Sequence, residues 1–331
     1  AMLVYGGYKG GDVRIRYYLW WYFGYCNAFR FDEDSTRGSV GLGGNISKSV
    51  DDLMRFAGRT EQDVPPVFQA AGQNEDAGNG SIMRLAPVPI RYHHNLATAM
   101  TMAELSSFAT HPGPDAAACC RFMTYFMIKA IHRDASISGD MQQFLDATIT
   151  SFISDHADDV KKNTGLQKVF QLLKCEPPSS KEVCWNWKKD RIELEETIRN
   201  RGRKYNGYPV MPGYFGSYCM DGLAMSLWGL AKSTSYVDCI FKVINLLGDC
   251  DTTGAIAGQM AGAFYGYSTF ENDALGKSVL QSVHYWDPYY EIELRALLLH
   301  FDALREKEKD RLPSPNKADS PSKVPPIPDC D

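Results

Sequence analysis

The stretch Leu247-Gly248-Asp249-Cys250-Asp251-Thr252-Thr253-Gly254-Ala255-Ile256-Ala257-Gly258 decides how the rest of the chain is read. Ahead of it, Val237 to Leu247 carries apolar residues at helical spacing, and Gly248 breaks the pattern as a glycine past a helix end does. Behind it, Gly254, Gly258, Gly262 and Gly266 recur every four residues, so one face of the predicted helix is nearly bare and another backbone can come close. Such a helix loses about 1 kcal/mol per glycine relative to alanine, which tight packing must recover. The spacing therefore predicts a central helix, entered through a cluster of oxygen-bearing side chains.

Asp249, Asp251 and Thr252 present hard oxygen donors at i, i+2 and i+3, the donor type that Mg²⁺ and Mn²⁺ take in preference to imidazole or thiolate. The competing reading is a capped helix, since Asp and Thr in a first turn accept from unpaired N–H groups and offset the dipole. Capping needs one such residue, and here four crowd into five positions. On spacing alone the two readings stand level.

The whole chain narrows the classes. Its 331 residues suffice for a sizeable core, and a net charge of -5 without a basic stripe argues against nucleic-acid binding through phosphate neutralisation. The nine cysteines are odd in number and lack C-x-x-C spacing, which points away from a disulfide framework or a structural zinc site and toward a reducing compartment. No leader pattern opens the sequence, and the apolar run Gly254 to Tyr267 is shorter than the roughly 20 residues of a membrane span and is interrupted by Gln259. A monomeric cytoplasmic protein without membrane contact is expected.

Taken in order, helices are predicted at Val13 to Phe23, Ile46 to Phe56, Leu96 to Phe108, Pro114 to Ile131, Met141 to Phe152, Met220 to Ala231, Ala274 to Val283 and Tyr290 to Lys307. Trp20 and Trp21 read as core residues. Phe29 to Thr36 reads as an acidic loop, and Gly72 to Ser81 as a Gly/Asn-rich loop running into Ile82-Met83-Arg84, where Arg84 offers a forked contact to a phosphate. An ordinary turn at Asn79-Gly80 is the plainer alternative. Thr110-His111-Pro112 holds His111 on a loop, where a satisfied structural group is the better reading of the residue alone, and His93, His94, His132, His156, His284 and His300 likewise read as structural groups. Tyr214, Phe215 and Tyr218 either stack on a flat ring or pack their loop onto the core. The charged stretch from Asp155 to Arg203 reads as helices and loops outside the core, and 309–331 as a disordered tail. No segment alternates at period two, so the expected architecture is all-α: a single compact helical bundle over 1–308.

Three motifs together, Gly78-Asn79-Gly80-Ser81-Ile82-Met83-Arg84-Leu85-Ala86-Pro87, Thr110-His111-Pro112 and Gly248 to Gly258, resemble the ADP-ribosylglycohydrolase family in order and approximate spacing over Asp12 to Lys307. The resemblance implies an all-α bundle around a binuclear Mg²⁺ or Mn²⁺ centre that hydrolyses the bond between ADP-ribose and an acceptor, either a protein side chain or a small molecule. It makes Asp249, Asp251 and Thr252 the expected metal ligands. Gly78, Asn79, Gly80, Ser81 and Met83 then belong to the loop that holds diphosphate and ribose, and Phe31, Asp32 and Asp34 to a further substrate loop. His111 and the Gly216-Ser217-Tyr218 segment are similar to parts that line the adenosine side of the cleft. The family also carries an N-terminal acidic motif that completes the binuclear site and is not found in this sequence. The chain reads as beginning after that motif, as a piece of a longer protein or as a divergent member. An active hydrolase and an inactive structural or ADP-ribose-binding member are both open, and no catalytic residue is assigned.

Overall fold

The computed structural model describes residues 2–26, 41–56, 64–68, 77–134 and 140–311. Phe31, Asp32 and Asp34, and the 312–331 part of the expected tail, lie outside the described residues.

Fifteen α-helices run through the described residues. Near the N-terminus are α1 (Met2–Tyr5), α2 (Gly10–Phe23) and α3 (Gly44–Asp52), then α4 (Pro87–Tyr92), α5 (Leu96–Phe108), α6 (Pro114–Ile131) and α7 (Met141–Asp155). The second half contains α8 (Thr164–Leu173), α9 (Leu194–Arg201), α10 (Cys219–Ala231), α11 (Tyr236–Ile244) and α12 (Cys250–Tyr265). Last come α13 (Tyr267–Asn272), α14 (Ala274–Trp286) and α15 (Glu291–Arg311). α5 and α6 span the residues their periodicity predicts. α15 runs past 309, where the tail was expected to begin. Among the described residues the strand pairing is confined to a short hairpin, Lys204–Tyr205 against Tyr208–Pro209, and one isolated bridge. No described helix is long and apolar enough to cross a membrane.

α6 is the axis. Gly113 precedes it in extended backbone, Pro114 opens it with a preset φ, and no glycine weakens its interior. It packs against α4, α5, α7, α8, α10 and α12, and Phe122, Met123, Tyr125 and Phe126 are wholly buried. The glycine face of α12 receives α11, as the four-residue repeat predicts. A methyl group added at Gly254 would stand 3.0 Å from Ile244 Cγ2, and one at Gly258 3.3 Å from the Tyr236 hydroxyl. From the other side, a methyl at Gly229 of α10 would fall 2.2 Å from Val243 Cγ2, so α11 is gripped between two side-chain-free surfaces. The fourth glycine does something else: Gly266 ends α12 at φ 79°, a conformation that L side chains rarely adopt.

Two expectations are corrected. Trp20 and Trp21 on α2 are only half-buried, and the fully buried tryptophans are Trp185 and Trp187. Those two lie in the 155–203 stretch, which is not outside the core: Leu166, Val169, Leu172 and Leu173 of α8 are buried as well. The high lysine and glutamate content of that stretch hides an amphipathic helix whose apolar positions recur at i, i+3 and i+4. The same stretch supplies a buried ion pair, in which the Arg201 guanidinium grips both oxygens of Asp221 at 2.5 and 2.8 Å with each side chain 3% exposed or less. Trp185 Nε1 donates to the same carboxylate at 3.2 Å.

Candidate functional site

A cleft of about 630 Å³ opens at the N-terminal end of α12. Asp249, Asp251 and Thr252 form one wall, Gly78, Asn79, Gly80 and Met83 a second, and Gly41 to Ile46 with Lys48 a third; His111, Ser217 and Tyr214 also border it. Five segments far apart in sequence therefore converge at one place.

Asp249 separates the two readings left level by spacing. It occupies the N-cap position of α12, yet its side chain caps nothing. The contrast is internal, because Asn95, Asp140, Asn163, Ser235 and Asp273 all accept a backbone N–H at the starts of their helices. Asp249 Oδ2 instead accepts from Asn79 Nδ2 at 2.7 Å and from Ser217 Oγ at 2.9 Å, which fixes the carboxylate facing the cleft. The backbone is fastened too, with Asp249 N donating to the Phe215 carbonyl at 3.0 Å. Gly248 makes that approach possible, since a Cβ there would lie 2.3 Å from the same carbonyl oxygen. Asp251 is exposed one turn edge away, and Thr252 is 9% exposed. Among the described residues neither carboxylate has a cationic partner within ion-pair distance.

The donor set fits a hard divalent cation. Two carboxylates and a hydroxyl are fewer than the six oxygens of Mg²⁺, but that ion commonly binds through one or two carboxylates and keeps waters or phosphate oxygens for the rest.

The glycine-rich loop is held by Gln259, which the sequence shows only as a polar interruption of α12. Gln259 Nε2 donates to the carbonyls of Ile82 and Met83 at 3.1 and 2.9 Å, and Oε1 accepts from Ala86 N at 2.6 Å. On the loop's other side Asn79 N donates to Ser217 O, and Cys219 N to Ala77 O. Gln259→Leu leaves these backbone groups without partners, so we expect a loss of about 1–3 kcal/mol, read from the urea midpoint.

Not every expected residue reaches the cleft. Ser81 is buried and bonded to Ser107 Oγ at 2.9 Å, and the Tyr218 hydroxyl donates to Asp115 Oδ2 at 2.8 Å. Gly216 stands behind the wall at φ 103°, its carbonyl accepting from Asn79 Nδ2 at 2.9 Å. Arg84 is not among the residues bordering the cleft: it donates to Gly80 O and Thr110 Oγ1 and covers the Tyr17 ring at 4.7 Å, so its guanidinium is engaged by these partners. Of the three loop aromatics, Phe215 and Tyr218 are buried and only Tyr214 is exposed at the cleft. The Gly41 to Lys48 wall had no predicted role; its signal is the glycine run Gly41-Leu42-Gly43-Gly44 that leads into α3 and leaves Gly43, without a side chain, at the N-cap.

His111 is 3% exposed and its ring packs against Gly80, where a Cβ would meet it at 2.9 Å. Thr110 Oγ1 accepts from Arg84 and lies 2.7 Å from His111 Nδ1, so the ring is hydrogen-bonded to the loop that carries it. Burial and the Arg84 charge hold the His111 pKa well below its ordinary value. Burial likewise lowers His156, and with its histidine neighbours takes His93 to about 4. These rings stay neutral in the folded state while the unfolded chain takes up protons near pH 6.5. Stability should therefore fall as pH drops below that value, by up to about 1.4 kcal/mol per pH unit for each histidine. Urea midpoints between pH 7 and pH 5 measure the slope, which His111→Gln should reduce.

Comparison with known proteins places this architecture. The ADP-ribosylglycohydrolase family model matches residues 1–307. The chain is 27% identical over 192 residues to ADP-ribosylarginine hydrolase Tri1 of Pseudomonas putida, covering 58% of this chain and 39% of that protein. It is 24% identical over 210 residues to the Tri1 hydrolase of Serratia proteamaculans, covering 62% and 44%. A shorter match of 65 residues at 34% identity, 20% of this chain and 22% of the relative, is to ADP-ribosyl-[dinitrogen reductase] glycohydrolase of Rhodospirillum rubrum. The chain thus spans less than half the length of these relatives. Among solved structures, an ADP-ribosylglycohydrolase-related protein complex shares the fold at 19% identity with a TM-score of 0.51, over 91% of this chain and 77% of that one. With its helical architecture and a family match running almost from end to end, the chain belongs to the ADP-ribosylglycohydrolase family.

Proposed function

We propose that the cleft binds an ADP-ribosyl group and hydrolyses the bond joining it to a protein side chain, arginine being the acceptor named for two relatives, with Mg²⁺ or Mn²⁺ held by Asp249, Asp251 and Thr252. The observation that carries this reading is the Asp249 carboxylate, which neither caps its helix nor pairs with a described cation and is aimed into the cleft by Asn79 and Ser217. A bound divalent ion supplies Lewis-acid charge for the ribose hydroxyls and a nearby water. The chain's own groups do the positioning. The first turn of α3, whose N-cap is Gly43, offers backbone N–H groups and a positive dipole end to a diphosphate, and Gly78 and Gly80 leave room for the sugar while the Asn79 side chain is turned to Asp249. Tyr214 presents an aromatic face to the adenine.

Mixed with Mg²⁺ and a peptide carrying ADP-ribosylarginine, the protein should release free ADP-ribose. No release from arginine-, serine- or small-molecule-linked ADP-ribose would overturn the hydrolytic reading. A second reading, an ADP-ribose-binding member without turnover, is favoured by the small donor set, two carboxylates and one hydroxyl among the described residues. Saturable ADP-ribose binding without release would select it.

A further inference from the structure

Away from the cleft, four histidines meet where α4 and α6 end against α15. His93 follows the last residue of α4, His94 comes next, His132 follows the last residue of α6, and His300 lies on α15. One ring nitrogen from each of His93, His94 and His132 lies within 4.8 Å of those of the other two. His93 Nδ1 and His132 Nε2 are 3.1 Å apart, and the His300 ring stacks on His93 with centroids 5.1 Å apart. His93 is 5% exposed, and its Nε2 has no hydrogen-bond partner among the described residues. The pocket beside the cluster, about 630 Å³, shares no lining residue with the cleft.

We propose that His93, His94 and His132 form a binding site for a borderline transition-metal ion such as Zn²⁺ or Co²⁺, separate from the oxygen donors of the cleft. Imidazole nitrogen suits these ions and not Mg²⁺. Nitrogens bound to one tetrahedral ion at about 2.0–2.1 Å stand about 3.4 Å from each other, so His93 and His132 are already close to that spacing. A rotation of His94 closes the third position, and exposed His132 leaves the remaining one open to water. His132 Nε2 also lies 2.9 Å from the His93 carbonyl, and so carries the proton in the metal-free ring. On loading, that proton leaves to solvent, another is taken up at Nδ1, and the freed lone pair on Nε2 turns to the ion; the ring stays neutral. Nearby positive charge works against binding: Lys129 and Lys307 line the pocket, while Arg91 is held by Asp302 and Glu306. The bound ion would tie the end of α4 to the end of α6.

The test is a Co²⁺ titration of tag-free protein in excess Mg²⁺, followed by visible absorption. One Co²⁺ per chain should bind, with ligand-field bands, no thiolate charge-transfer band, and displacement by Zn²⁺. His132→Gln, on an exposed residue, and His94→Gln should each weaken binding at least tenfold, while Asp249→Asn leaves it unchanged. Absence of saturable uptake, a thiolate band, or uptake indifferent to His132→Gln would overturn the site. Should His94→Gln fail to fold, His132→Gln alone decides.

Discussion

Asp249→Asn should abolish the thermal stabilisation that Mg²⁺ confers, while leaving the metal-free protein nearly as stable as before. The two halves of this result come from different physics. Asparagine keeps an oxygen that accepts from Asn79 Nδ2 and Ser217 Oγ, so the wall of the cleft retains its hydrogen bonds. What is lost is the negative charge. For an ion present at about 100 times its Kd, binding to the folded state alone contributes about 2.7 kcal/mol, and a weakened site forfeits most of this. The substitution also tests the capping alternative, because Asn and Asp are equivalent at an N-cap. If Asp249 served only its helix, wild type and variant would melt alike with and without Mg²⁺. Release of ADP-ribose should fall by more than the about 10- to 100-fold that losing a supporting residue costs. Asn79→Ala and Ser217→Ala, which only free the carboxylate to rotate, belong in that smaller range.

The largest effect on stability is expected at a residue that never meets solvent. Asp221→Ala leaves the Arg201 guanidinium charged, buried and without its bidentate partner, and removes the acceptor of Trp185 Nε1. Taking one member from a buried pair costs about 3–5 kcal/mol, since the desolvation of the survivor is no longer offset. Replacing both members, as Arg201→Met with Asp221→Leu, should cost much less than the sum of the single changes. Urea denaturation of the two single variants and the double variant measures the coupling. The pair matters to the cleft because Arg201 also lies over the rings of Tyr205 and Phe215, at 4.0 and 5.5 Å from their centroids. The Phe215 carbonyl receives the Asp249 N–H. Asp221→Ala should thus lower Mg²⁺ affinity as well as stability, whereas the double variant, with apolar side chains still supporting Phe215, should recover part of that affinity.

Periodicity and punctuation carried most of the helical reading. α5 and α6 begin where the pattern begins because Asn95 caps the first and Pro114 opens the second, local signals that tertiary contacts do not oppose. The glycine repeat of α12 announced a close helix contact, and α11 supplies it. Local signals failed where composition and placement diverge. α8 sits among lysines and aspartates yet buries five of its leucine, valine and phenylalanine side chains against α6. The aromatic density of α2 suggested a core helix, but burial is decided by what packs on a face and not by the face itself, and Trp20 and Trp21 remain half-exposed.

The candidate site divides along the same line. Asp249, Asp251 and Thr252, the loop Gly78 to Gly80 and His111 stand out in the sequence through the three motifs that resemble the family, whereas spacing alone left a capped helix, an ordinary turn and a structural histidine equally open or better supported. Their neighbours could not be read that way. Whether Ser81 and Tyr218 face a ligand or the core, and whether Arg84 reaches an anion or Thr110, depends on partners 26 to 103 positions away. Gln259, 173 to 177 positions from the turn it fastens, has no local signature at all. By itself, then, the sequence determined the helical class, the bare face of α12 and the oxygen-rich entrance to it, since backbone propensity and donor chemistry act over a few residues. Only the tertiary structure decided that Asp249 faces the cleft and caps nothing, that the 155–203 stretch belongs to the core, and that four histidines read as structural groups stand together, because long-range packing chooses the partner of each polar atom.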